Sequence, residues 1–174
     1  LSPMTGMALE QKAGTKRIAG QDRYETAVAI SQKGWKTSEY AIIARGDDFA
    51  DALCAGPLAH KYNAPILLTQ PGALDLTTLA ELKRLGVQKV WIAGGTGAVS
   101  QQVEMDLGTA GIFNIERISG SNRYETSVEI AKKLDAGSQA VLATGSDYPD
   151  ALSISVIASK LGMPILLTQK NSLP

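Results

Sequence analysis

RIAGQDRYET (residues 17–26) and RISGSNRYET (residues 117–126) are nearly one decapeptide written twice, a hundred positions apart. Two arginines, a glycine, a tyrosine, a glutamate and a threonine return at the same spacing, so the repeat governs how every other motif is read. The match runs on past it. ARGDDFADAL (44–53) returns as ATGSDYPDAL (143–152), and APILLTQ (64–70) returns as MPILLTQ (163–169), each now 99 positions later. The first copy continues through LTTLAELKRLGVQKVWIAGG, whereas the second stops at NSLP. This divides the chain into a linker or tail at 1–14, a complete unit at 15–116 and a truncated unit at 117–174. About one and three-quarter units suggest a piece of a longer array, since stacked repeats need neighbours to bury their faces. The stretch 36–135 also frames a whole α/β unit, so the structural boundary can straddle the sequence repeat.

Within a unit, YAIIARG, APILLTQ, VQKVWIAGG and IFNIERISG are short apolar or β-branched runs ending in glycine or polar residues. They suit strands buried on both faces, as in a parallel sheet. Helical patterns fill 22–34, 48–62, 75–85 and 100–109, with Leu76, Leu79, Leu82 and Leu85 spaced as an apolar stripe and Gly86 as its stop. Strands alternating with helices predict an α/β fold of tandem repeat units, a parallel or mixed sheet flanked by helices. Asp22 with Glu25, and Asn122 with Glu125, have the spacing of capping boxes. Asp48 with Asp51, Asp147 with Asp150, and Ser100 are placed as further helix-start residues.

The 174 residues are 44% hydrophobic and 20% charged, with a formal net charge of zero. Such a balance argues against a general nucleic-acid or membrane-surface binder, both of which need a basic excess. No apolar run approaches the length that spans a bilayer, so no membrane insertion is expected. Cys54 is the single cysteine and lies in an apolar run, the setting of a buried thiol. His60, the only histidine, has no nucleophile suggested beside it and reads as a structural or surface residue.

Arg23 and Arg123 fall in the first turn of a helix, where a cation meets the positive end of the dipole at a cost of roughly 0.3–1 kcal/mol. A cation there in both copies calls for a partner. A carboxylate from the same motif or from a neighbouring loop would serve, and so would an external anion held by guanidinium and helix terminus together. Tyr24 and Tyr124 lie on apolar helical stripes, as core rings or as platforms for a sugar. The carboxylates of GDDFADAL could hold Mg²⁺, but the second copy keeps only Asp147 and Asp150, which suits capping better. The glycines of IAGGTGAVS match neither common phosphate-loop pattern.

Taken in order, R-I-x-G-x-x-R-Y-E-T, D-(F/Y)-x-D-A-L, P-I-L-L-T and V-x-I-x-G-G…V-S resemble the cell wall binding repeat 2 family of Gram-positive surface proteins, over about residues 15–174. The second copy lacks the fourth motif, and Arg45, Asp47 and Ala50 give way to Thr144, Ser146 and Pro149. The resemblance implies a Toprim-like α/β unit that assembles around a pseudo-threefold, usually as three tandem repeats. It also implies a non-catalytic, secreted anchor at the cell wall or surface layer, holding an anionic cell-wall polysaccharide without cofactor or metal. By resemblance the ligand role passes to Arg17, Arg23 and Tyr24, and to Arg117, Arg123 and Tyr124. Other copies of the repeat, in cis or in trans, are the second expected partner. Two alternatives stand beside this: a Mg-dependent Toprim-like phosphoryl-transfer enzyme using Asp48 and Asp51, and a purely structural assembly domain.

Overall fold

The computed structural model describes residues 16–135 and 137–171, so the expected tail at 1–14 lies outside the described residues. Helix α1 (Arg23–Gly34) leads into β1 (Tyr40–Arg45), two short helices α2 (Ala50–Cys54) and α3 (Gly56–Lys61), and β2 (Ile66–Thr69). Then come α4 (Leu76–Leu85), β3 (Lys89–Ala93), α5 (Gln101–Thr109) and β4 (Asn114–Ile118). The second copy supplies α6 (Arg123–Lys132), β5 (Val141–Thr144), α7 (Pro149–Leu161) and β6 (Ile165–Thr168). β2-β1-β3-β4 form one wholly parallel sheet, and β5-β6 form a second. Ile42 pairs with Ile66 as Val141 pairs with Ile165, so the register repeats with the sequence offset.

Both faces of the four-stranded sheet are covered, which is why its strands read as continuous apolar runs. On one face Ala41, Ile43, Val90 and Ile92 meet Leu82 and Leu85 of α4 and Val103 and Leu107 of α5. On the other, Ile42, Ala44, Trp91 and Ala93 share one core with Cys54 and Leu58, and with Ile130, Ala158, Ile165 and Leu167 of the second copy. The two units therefore have a common interior. Cys54 is buried in it, and burial pushes its thiol up to about 12.

Local details depart from expectation for physical reasons. The helix expected over 48–62 breaks into α2 and α3 because Pro57 has no N–H for the Leu53 carbonyl and crowds it. Ser155 and Val156 stand at the matching positions, and α7 runs unbroken. Leu76 is 80% exposed and outside the core, whereas Glu81 takes a place on the buried face of α4. Its carboxylate accepts from Ser31 Oγ at 2.6 Å and from Arg84 Nε at 2.7 Å. Burial pushes this carboxyl up, but those hydrogen bonds together outweigh burial and hold it below the usual carboxylate range. Gly86 ends α4 in the left-handed region, as read. Ser100 precedes α5 without a capping bond, its hydroxyl donating instead to Gly72 O.

Glu116 on β4 ties the sheet to the end of α6. It accepts from Lys89, Lys133 and Trp91 Nε1, and the two ammonium groups hold its carboxyl at about 2. Since this lies below the ordinary 4.5, the stabilisation is whole above pH 4.5 and fades as pH falls toward 2. Glu116→Gln is expected to cost about 1–2 kcal/mol at pH 7 after allowance for partial solvent screening, and about a quarter of that near pH 2.5. Urea midpoints of both proteins at the two pH values measure this; a pH-independent gap contradicts it.

Candidate functional site

The repeated decapeptide is a joint. Arg117 and Ile118 are the last residues of β4, hydrogen-bonded in the first sheet, while residues 123–126 open α6, which packs on β6 of the second. The corner between them is fixed from within. Asn122 Oδ1 accepts from Tyr124 N at 2.9 Å and Glu125 N at 3.0 Å, and Glu125 accepts in return from Ser121 N at 2.9 Å. Asp22 and Glu25 make the same box at α1. Thr26 and Thr126 each accept from the glycine six residues back, at 3.0 Å. The Gly, Asp/Asn, Glu and Thr of the motif are thus accounted for by chain geometry.

The Arg-Tyr pair reaches outward from that corner. Arg23 donates to Gly46 O, and Arg123 donates to Gly145 O at 2.9 Å, so each helix start is tied to the loop after the next strand. The tyrosine rings lie directly against those same glycines, and a Cβ at Gly46 or Gly145 would stand 2.4 or 2.6 Å from a ring carbon of Tyr24 or Tyr124. Here the copies diverge. Arg123 also bonds Asp48 at 3.0 Å and lies 5.6 Å from the centre of the Phe49 ring, joining the second unit to the first. Among the described residues no carboxylate is bonded to Arg23, which is exposed. Arg117 is only 16% exposed, held by Glu104 and by Gly94 O at 2.8 Å. Arg17 is exposed beside the start of the described chain. The six residues singled out by the resemblance therefore do not converge on one pocket.

A crevice forms instead where the strand order changes direction. The connection after β1 crosses to one face of the sheet through α2 and α3, and that after β3 crosses to the other through α5. Diverging loops leave a gap at the carboxyl ends of neighbouring strands, the usual ligand position in open α/β sheets. This gap has a volume of about 270 Å³ and is lined by Arg45, Asp48, Asp51, Gly95, Gly97, Ala98 and the corner at Gly120–Arg123. Arg45 is closed onto Asp47 by two hydrogen bonds of 2.7 Å, which hold the Asp47 carboxyl low. Asp48 caps weakly, accepting from Phe49 N at 2.7 Å, as Asp147 does from Tyr148 N at 2.8 Å. As Asp150 does in α7, Asp51 lies in the first turn of α2, the helix-start place its spacing from Asp48 implied. Burial, reinforced by the Asp48 charge, pushes its carboxyl up. The D-x-x-D spacing kept in both copies was the signal for these two carboxylates; nothing local in the sequence told that Asp48 meets Arg123. No group of three or more His, Cys, Asp or Glu among the described residues is placed to hold a metal ion.

These features define a tandem α/β repeat whose motif joins one unit to the next. The chain belongs to the family described as cell wall binding domain 2 (CWB2), whose model matches residues 17–104 and 117–174. It is 43% identical over 158 residues to N-acetylmuramoyl-L-alanine amidase LytC of Bacillus subtilis (strain 168), covering 91% of this chain and 32% of that protein. Identity to the amidase enhancer of the same organism is 43% over 162 residues, covering 93% of this chain and 23% of that one. Among solved structures it resembles Cwp6 from Clostridium difficile, with a TM-score of 0.84, 41% identity, and coverage of 91% of this chain and 26% of the other. Cwp8 from the same organism gives 0.83 and 33%, covering 97% and 30%. The chain spans a third or less of each of these proteins. Membership makes it a cell-wall-binding module and implies a location at the cell wall or surface. No helix among the described residues is long and apolar enough to cross a membrane.

Proposed function

We propose that this chain is a non-catalytic anchor that holds its parent protein to an anionic secondary cell-wall polysaccharide, with Arg23 as a principal contact. The observation behind this is the difference between the two copies. Arg123 spends its guanidinium on Asp48, whereas Arg23 is fixed on one edge by Gly46 O, bonds no carboxylate among the described residues, and lines an open cleft of about 310 Å³ with Asp47 near enough to feel its charge. A guanidinium held in place by a carbonyl and bonded to no carboxylate suits a phosphate or carboxylate on a flexible polymer. Tyr24, packed on Gly46, would fix the helix start that presents it, and Arg17 and Tyr124 would contribute at the rims. Arg117 would join only if Glu104 were displaced.

Cosedimentation with Gram-positive walls before and after acid removal of secondary polymers tests the reading. Binding is expected to vanish on stripping, to weaken with salt, and to fall about tenfold in Arg23→Ala. Equal binding to stripped walls overturns it.

A second partner, another copy of the repeat, has its own support. The first unit covers this side of the second, α2 packing on both α6 and α7 and α3 on α7, and Ile130 of α6 is 1% exposed. The matching Ile30 is 50% exposed and lines an open groove between α1 and α3, beside Trp35. On α7, Val156 and Ile157, the counterparts of Pro57 and Leu58, are exposed as well. A further unit, in cis or in trans, could use both surfaces in a head-to-tail array.

A further inference from the structure

The crevice at the strand switch point poses a charge problem that the anionic-polymer reading does not solve. Arg45 and Arg123 both face it, yet each already holds a carboxylate, Asp47 and Asp48 respectively. The group left over is Asp51. Its side chain makes no hydrogen bond to any described residue, although it is largely enclosed and lies against Gly94. It is not sealed: no side-chain N or O among the described residues is both buried and without a partner, so its oxygens open to the crevice. The site therefore offers a spare acceptor, with both cations neutralised. A phosphate or uronate placed there would face an uncompensated carboxylate at close range, and no group of three or more His, Cys, Asp or Glu among the described residues is placed to hold a metal ion.

We infer that this crevice binds an uncharged sugar residue of the wall polymer, with Asp51 accepting hydrogen bonds from its hydroxyl groups. The assignment rests on the wall-polymer reading and divides the labour within it: the polymer's charges stay outside with the exposed arginine, and a neutral ring enters the gap. Size agrees. About 270 Å³ falls just short of the ~300–1,000 Å³ of sites for drug-sized ligands and has room for one ring. The lining agrees too, since Ser121 shares the gap with Asp51 as a further hydroxyl partner, and Gly95 and Gly97 let a ring approach the backbone. Because the walls come from the first unit and from the corner that opens the second, the subsite exists only where two units meet. Asp150 keeps the acceptor in the second copy.

The experiment has two arms, both on the full chain. In the first, Asp51→Asn and the wild type are compared for binding to purified wall polymer and for thermal midpoint. A hydroxyl-accepting role predicts about tenfold weaker binding with a midpoint unchanged or higher, because an enclosed carboxylate without a partner destabilises the fold. Unchanged polymer binding in Asp51→Asn overturns the assignment, as does a lowered midpoint that accounts for the loss. In the second arm, amide shifts of Gly95, Gly97 and Ser121 are followed as neutral methyl pyranosides, glucuronate, inorganic phosphate, glucosamine and Mg²⁺ are added in turn. Shifts with a neutral pyranoside, lost in Asp51→Asn, support the inference. A response confined to phosphate, glucuronate, glucosamine or Mg²⁺, or no response at all, overturns it. This arm needs no wall polymer, so a failure of the wall reading leaves its own mark: wild type that ignores the polymer while its crevice still takes a neutral ring.

Discussion

Arg84→Ala is expected to lower the unfolding free energy by about 3 kcal/mol at pH 7, through the carboxylate it leaves behind. Glu81 is fully enclosed between α1 and α4, and Arg84 is its only cationic partner among the described residues, through Nε and Nη2, both at 2.7 Å. Removing the guanidinium leaves Ser31 and Gln32 to hold a buried negative charge, and also strips Trp35 O and Lys36 O of their donors. Two further measurements separate the charge from the packing. Arg84→Ala combined with Glu81→Gln should cost less than Arg84→Ala alone, because the stranded charge is gone. The pH dependence should also change sign. In the wild type the Glu81 carboxyl lies below its ordinary range, so its contribution is present at neutral pH and lost as pH falls. Without Arg84 burial dominates, the folded carboxyl prefers its proton, and stability is regained as pH falls. Urea midpoints at neutral pH and near pH 4.5 should therefore converge between the two proteins. A gap that stays constant would mean that the charge is not the cause.

Glu81 also marks where the sequence becomes opaque. Parallel strands enclosed on both faces announce themselves as apolar runs, and β1, β2, β3 and β4 lie within the stretches expected for them. Capping boxes at Asp22 and Asn122 were legible because every participant lies within four residues. A glutamate on a helix face, by contrast, reads as solvent-facing, and only its distant partners Ser31 and Gln32 reveal otherwise. Leu76 misled in the opposite sense, its spacing fitting the stripe while its position in the first turn carries it past the sheet. In the site, the cation misplaced at a helix start asked for a partner. It has a carbonyl in both copies, plus the Asp48 carboxylate in one. That Asp48 lies 75 positions from Arg123 is why spacing could not name it. The crevice is likewise a product of strand order, which no local pattern encodes.

Gly120→Ala is expected to cost about 3 kcal/mol or more, the penalty of forcing an atom into a corner that has no room for it. A Cβ on Gly120 would stand 2.2 Å from Glu125 Cβ, 2.7 Å from the Glu125 carbonyl carbon and 2.8 Å from Thr126 N. Two of these three are backbone atoms of the first turn of α6, so no side-chain rotation can relieve the clash. The turn must open, breaking the bonds from Gly120 N to Thr126 and from Ser121 N to Glu125. Gly20 meets the same three atoms at nearly the same distances, which explains why both copies of the decapeptide carry glycine here. Two controls bracket the effect. Gly97→Ala, with nothing within 4 Å of the new atom, should change stability by less than about 0.5 kcal/mol. Gly86→Ala, equally uncrowded but at φ 72°, should cost about 1 kcal/mol from backbone strain alone. Unfolding midpoints of the three variants should fall in that order. If Gly120→Ala matched Gly86→Ala, the corner would be yielding rather than rigid. A rigid joint is what lets Arg123 reach Asp48 and places Ser121 and Asn122 at the crevice, so Gly120→Ala should also abolish wall binding in whatever fraction remains folded.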